Sequence, residues 1–235
     1  MPKALRPRPG KPSRRPGAGR LVLPREVVDE VRRTARPVQA QQALDAVERA
    51  VDLLSRGDPR AAVREAERAK ALAPRSGAVR ETLGLALYGA ERWRESIREL
   101  QAYRRITARL DQNHIIADSY RGLGQPARAL PAVMEALRSR IPEEVKAEAT
   151  VVGASALADL GRFEEALALL RRFPAREDVG RAHDLRIWYV TGDVLERAGR
   201  PEEAAAEFRR VMRFDPSAFD AAERLAALQR RVTRS

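Results

Sequence analysis

The chain has 235 residues, 44% of them apolar but only 5% aromatic, so any core must be built mainly from Ala, Leu and Val. Cysteine is absent, which excludes disulfides, thiolate metal sites and cysteine nucleophiles together, and His114 and His183 are the only imidazoles. The net charge of +12 is uneven, with +7 in residues 1–20 and +5 in the remainder, where 38 basic groups face 33 acidic ones.

Residues 1–20 read as a disordered basic tail. They hold Lys3, Arg6, Arg8, Lys11, Arg14, Arg15 and Arg20 with five prolines, three glycines and no acid. Such a segment cannot bury enough surface to offset its ordering entropy. Basic arms of this kind contact nucleic acid or acidic protein surfaces, so Arg6, Arg8, Lys11, Arg14, Arg15 and Arg20 are candidate nucleic-acid contacts. No apolar segment follows the charges, and no stretch reaches the roughly 18–20 apolar residues of a spanning helix. A cytoplasmic location without a signal or a membrane span is expected. Only four of the 45 basic residues are lysine, a compositional bias that makes the position of an arginine more informative than its presence.

Residues 21–40 are expected to form an N-terminal capping helix and linker. Val27, Val28 and Val31 lie at helical spacing within 25–35 and would cover the surplus apolar residues Leu44, Val47, Val51 and Leu54 of a helix over 38–55. From about residue 41 to residue 235 short helical segments follow one another in pairs. Gly57-Asp58-Pro59, Gly124-Gln125-Pro126, Gly161-Arg162-Phe163 and Gly199-Arg200-Pro201 punctuate them. Glycine ends the first helix by accepting the left-handed conformation, and proline opens the second, where its missing N–H costs nothing. Asp58 and Asp215 fit as N-caps before Pro59 and Pro216. Pro131 falls inside a helix opening at Pro126, so that helix is expected either to kink or to begin later. Residues 174–184 read as a loop, and 217–232 as a C-terminal capping helix with Ala221, Ala222, Leu225 and Leu228 on one stripe.

The punctuating glycines are 67, 37 and 38 residues apart, close to multiples of the ~34-residue interval of paired-helix repeats. Residues 185–218 place Trp188, Gly192, Gly199, Ala204, Phe208 and Pro216 at the fourth, eighth, fifteenth, twentieth, twenty-fourth and thirty-second positions of such a unit. This register resembles the tetratricopeptide repeat (TPR) family. Residues 43–76, 77–110, 110–142 and 147–174 follow it less completely, with Arg49 at an apolar position, Glu91 at the usual Gly and Ser96 at the usual Ala. Segments 79–107 and 117–130 are also similar to Arg- and Ala-rich TPR proteins of high-GC Gram-positive bacteria, a group without an established activity. The resemblance implies an all-α fold: a right-handed α-solenoid of about five helix pairs with N- and C-terminal capping helices.

No catalytic set emerges: there is no H-E-x-x-H, phosphate-binding glycine loop or G-x-S-x-G. Glu164-Glu165 and Glu202-Glu203 sit just after helix starts, where the dipole favours acids. The expected function is a non-enzymatic scaffold without cofactor, metal or small-molecule substrate. By the resemblance, the second, fifth, ninth and twelfth positions of each first helix face a partner-binding groove. That assigns Glu81, Leu85, Tyr88, His114, Asp118, Arg121, Arg186, Tyr189 and Asp193 as candidate contacts, together with Asp111, Glu148, Val151, Ser155, Ala158 and Glu196. The Lys and Asn that clamp a peptide carboxylate in chaperone-binding members are missing. The alternative is an RNA- or ribosome-associated protein whose tail contacts phosphates. Arg92, Arg94, Arg98, Arg104, Arg105 and Arg109 add a basic stretch to it, interleaved with Glu91, Glu95 and Glu99.

Overall fold

The computed structural model describes residues 22–176 and 178–232, and these are helices joined by short turns, with no strand among them. In chain order they are α1 (Arg25–Thr34), α2 (Ala40–Ser55), α3 (Pro59–Leu72), α4 (Gly77–Gly89), α5 (Trp93–Thr107), α6 (Asn113–Gly122), α7 (Pro126–Arg138), α8 (Glu143–Asp159), α9 (Phe163–Arg171), α10 (Ala182–Arg197), α11 (Pro201–Phe214) and α12 (Ala221–Val232), with a single 3-10 turn at Pro37–Gln39 before α2. Packing divides the chain into two units, one running to Gly124 and one beginning at Gln125. Each has its own core.

The turns follow the expected chemistry. Gly57, Gly124, Gly161 and Gly199 all have φ between 69° and 76°, the left-handed region that a side chain disfavours. Glu91 occupies the same position with φ 63° and bears that strain. Asp58 caps α3 by accepting from the Ala61 amide at 3.0 Å, and Ser76 caps α4 through the Val79 amide at 3.3 Å.

In the first unit each helix packs on its successor from α2 to α6. Helix α1 closes the start as expected: Val31 is fully buried with Leu44, Val47 and Val79, and Val27, Val28 and Val51 pack at the margin. Glu30 pins α1 to the start of α4 by accepting from the Ser76 hydroxyl at 2.8 Å and the Ala78 amide at 3.1 Å. Leu54 is not part of that cover. It points one turn further along α2 and packs against Val63, Leu83 and Leu87.

In the second unit α8 is enclosed by α7, α9 and α10, and every residue from Ala149 to Ala158 is buried. This explains its uniformly small and apolar sequence. Helix α7 begins at Pro126 and runs through Pro131. The amide missing at Pro131 leaves the carbonyl of Ala127 without its helical donor, and both residues lie on the exposed face, where that loss costs least. Asp215 is a correction to the expected helix cap. Its carboxylate accepts from the Ser217 amide at 2.9 Å and hydroxyl at 2.7 Å, closing a side-chain-mediated turn in place of a helix start. The chain then passes Phe219 at φ 57°, so the terminal helix begins at Ala221 and not at residue 217.

Close approach in both units depends on glycine. A Cβ at Gly84 would stand 2.5 Å from Leu100 Cδ2, and one at Gly192 would stand 2.7 Å from Phe208 Cε1.

Candidate functional site

In the first unit the residues expected to face a groove lie on α4 and α6 and bind one another first. Tyr88 donates its hydroxyl to Asp118 at 2.5 Å, and Arg121 donates to the other oxygen of the same carboxylate at 2.6 Å. Gln112 donates to Glu81 at 2.7 Å, and Tyr103 to Asp111 at 2.8 Å. Burial raises the pKa of Glu81, with the neighbouring Asp111 and Glu30 charges adding to it against the Gln112 bond and Arg109. Burial likewise raises the Tyr103 phenol, and Glu81 and Asp111 add to it. Glu81, Leu85, Tyr88, His114 and Asp118 all remain partly accessible. They make up a mixed acidic and apolar strip in which Glu81, Tyr88 and Asp118 are held by these hydrogen bonds.

In the second unit the corresponding positions are more deeply engaged. Arg186 on α10 pairs with Glu148 on α8 at 2.9 Å. Val151, Ser155 and Ala158 are buried within α8. Tyr189 and Asp193 are only 4% and 6% exposed, because α12 lies over them. Tyr189 is hydrogen-bonded to Asp220 just before α12, a contact that spans one repeat as Tyr88–Asp118 does in the first unit. Arg224 of α12 donates to Asp193 at 2.8 Å and Glu196 at 2.7 Å. Its guanidinium also stands 4.8 Å from the Phe208 ring centroid and 5.7 Å from that of Tyr189. Burial works against the Arg224 charge, but Tyr189, Asp193 and Glu196 outweigh it and raise the pKa. Burial together with Asp220 raises the Tyr189 phenol.

Two ionic centres were not legible in the sequence. Glu99 of α5 is 1% exposed and bonds Lys70 of α3 at 2.7 Å and Arg80 of α4 at 2.6 Å. Burial opposes its ionisation, yet the two cations overcome that penalty and lower its pKa. Asp184, the third residue of α10, accepts from the backbone amides of Arg176 and Arg181, both at 3.2 Å, and from the Arg181 guanidinium at 2.8 Å. It thereby ties Arg176 and Arg181 to the start of α10, which begins at Ala182, inside the stretch expected to be a loop up to residue 184. In the sequence Glu99 is one of three acids interleaved with the basic stretch 92–109, and nothing local marks it as buried. An acid three residues after Arg181, just inside a helix, was the available signal for Asp184.

Among the described residues no group of three or more His, Asp or Glu side chains is placed to hold a metal ion, and no helix is long and apolar enough to cross a membrane. Arg6, Arg8, Lys11, Arg14, Arg15 and Arg20 lie outside the described residues.

The repeat geometry has known counterparts. The tetratricopeptide repeat family model matches residues 116–178 and 151–219. Residues 116–219 are tetratricopeptide repeats. A thermophilic TPR protein of Thermus thermophilus, TTC0263, superposes with a TM-score of 0.62 at 20% identity, covering 80% of this chain and 98% of its own. YrrB, a TPR protein with an unusual peptide-binding site, superposes with a TM-score of 0.53 at 20% identity, covering 77% of this chain and 90% of its own. Human IFIT1, in a dimer with m7Gppp-AAAA, gives a TM-score of 0.60 at 14% identity, with 88% of this chain covered and about half of IFIT1, 51%. At these identities the likeness is one of fold. No curated protein sequence matches the chain significantly.

Proposed function

We propose that this TPR protein is a non-enzymatic adaptor that holds a peptide or helix of a partner protein on the exposed faces of its first helices. The observation that carries this reading is Arg224. In the last repeat, such a face holds an amphipathic helix by placing its arginine between Asp193, Glu196 and two aromatic rings. The strip of Glu81, Leu85, Tyr88, His114 and Asp118 in the first unit offers the same ingredients, acids beside an aromatic and an aliphatic group, while staying partly accessible. The partner segment that suits it carries basic and apolar side chains at helical spacing. YrrB, with its peptide-binding site, supports the reading at the level of fold.

The test is affinity capture with the full chain, with and without nuclease, followed by binding of the captured partner to Leu85→Glu and to Arg172→Glu. Leu85→Glu should weaken the partner at least tenfold, and Arg172→Glu, on an exposed turn of the second unit, should leave it unchanged. Partners that vanish with nuclease, or that tolerate Leu85→Glu, would replace this reading with the nucleic-acid alternative, in which residues 1–20 supply the contacts.

A further inference from the structure

Helices α3 and α5 of the first unit both pack on α4 and are tied to each other by Lys70–Glu99 at 2.7 Å and, through Arg92 just before α5, by Glu67–Arg92 at 3.6 Å. Each turns a row of arginines outward. Arg60, Arg64 and Arg68 recur every four residues on α3, and Arg94, Arg98 and Arg105 share one face of α5. All six are exposed. At ~1.5 Å rise per residue the two rows run on the order of 12 and 16 Å.

What makes this surface unusual is the fate of the acids. The acids of α3 and α5 are Glu65, Glu67, Glu95 and Glu99, and each is already committed within the unit. Glu65 pairs with Arg49 at 2.8 Å, Glu67 and Glu95 with Arg92, and Glu99 is buried with Lys70 and Arg80. Arg98 also approaches Glu99, at 3.4 Å, with its side chain still 68% exposed. The outward charge is therefore not neutralised by its own helices. It also runs against local preference. Arg60 and Arg94 are the second residues of their helices, where the dipole favours acids, and the second unit has Glu164-Glu165 and Glu202-Glu203 at those places.

We infer that this face binds the phosphate backbone of double-helical nucleic acid without reading its sequence. A protein partner would need aromatic or aliphatic anchors at the centre of the contact. A membrane surface would need apolar residues to insert. The face has neither: the only large exposed apolar side chain on these two helices is Ile106, near the end of α5. Counterion release requires only correctly spaced charge. The lack of aromatic stacking platforms favours a duplex over an unstacked single strand.

The experiment is fluorescence anisotropy of the full chain with short RNA and DNA duplexes across a salt series. Each neutralised phosphate contributes about 0.9 to the slope of log K against log salt, so six arginines cap this face at a slope of about 5. Replacing Arg64, Arg68, Arg94 and Arg98 by Gln should lower the slope by about 3 for whichever duplex binds. Replacing Arg138, Arg172, Arg209 and Arg213 by Gln removes the same charge from the second unit and should leave the slope within about 1 of wild type. Residues 1–20 are common to both variants, so their contribution cancels. The pair Arg64→Gln with Arg94→Gln gives a milder version should the fourfold variant melt early. An unchanged slope in the α3/α5 variant, an equal fall in the second-unit variant, or binding to acidic peptides or anionic vesicles without duplex binding would each overturn the inference.

Discussion

The repeat at 77–110 and the repeat at 185–218 share one register but fill the fourth position in opposite ways. In the later repeat it is Trp188, buried under Arg210, whose guanidinium stands 4.4 Å from the indole, with Phe214 at 5.5 Å. In the earlier repeat it is Arg80, which closes an ionic cluster on the buried Glu99. The later repeat is held by dispersion and a cation over an aromatic face, and the earlier one by charges whose desolvation must be repaid in full. The comparison teaches that the repeat fixes where a gap between helices will be, and not the chemistry that fills it.

The difference can be tested from its strongest term downward. Trp188→Ala should cost about 4 kcal/mol, because a large buried side chain is lost from a site that cannot collapse around Arg210. A calorimetric loss below about 1 kcal/mol would mean the aromatic filling is not what holds that repeat. Glu99→Gln should cost about 3 kcal/mol, since it strands two partly buried cations. If the variant were as stable as wild type, the ionic centre would be ornamental and the contrast would fail.

The same pair sharpens under acid. The folded-state pKa of Glu99 is lowered by Lys70 and Arg80 against its burial. Its contribution is therefore complete above the ordinary carboxylate range and lost as pH falls through the lowered value. The stability difference between wild type and Glu99→Gln should shrink with acidification, while that between wild type and Trp188→Ala, involving no titrating group at the substituted position, should change much less.

Smaller effects separate the two repeats at matched positions. Ser96 stands where the later repeat has Ala204, and its buried hydroxyl donates to the Gly84 carbonyl at 2.8 Å. Ser96→Ala should cost about 1 kcal/mol by removing that bond, measurable as a shift in denaturant midpoint. Glu91 stands where the later repeat has Gly199, both with positive φ. Glu91→Gly should stabilise by up to about 1 kcal/mol through relief of left-handed strain, and a lower melting temperature would show that the Glu91 side chain outweighs it.

Much of the fold was legible because its determinants are local. The Gly57, Gly124, Gly161 and Gly199 turns, the proline starts and the valine stripe of α1 all act within a few residues of themselves. Asp215 misled because a short carboxylate can close a turn as readily as cap a helix, and of the two expectations for Pro131 the later helix start is excluded, since α7 opens at Pro126. The candidate site was legible only in outline. The register places Tyr88, Asp118, Tyr189 and Asp193 correctly on the first helices. It cannot show that α12 lies over the latter two, since that depends on a non-local contact made by Arg224. Glu99 was opaque for the same reason: its partners are 29 and 19 residues away.

The hydrogen bonds from Tyr88 to Asp118 and between Tyr189 and Asp220 begin in one repeat and end in the next. This imposes an order on units that look interchangeable. A duplication or transposition of a single repeat would keep every helix and every turn, and a deletion all those that remain, yet each would separate a tyrosine from its carboxylate where two repeats meet. The succession of its repeats is therefore inherited as a sentence is, with words that cannot be exchanged without losing agreement between neighbours.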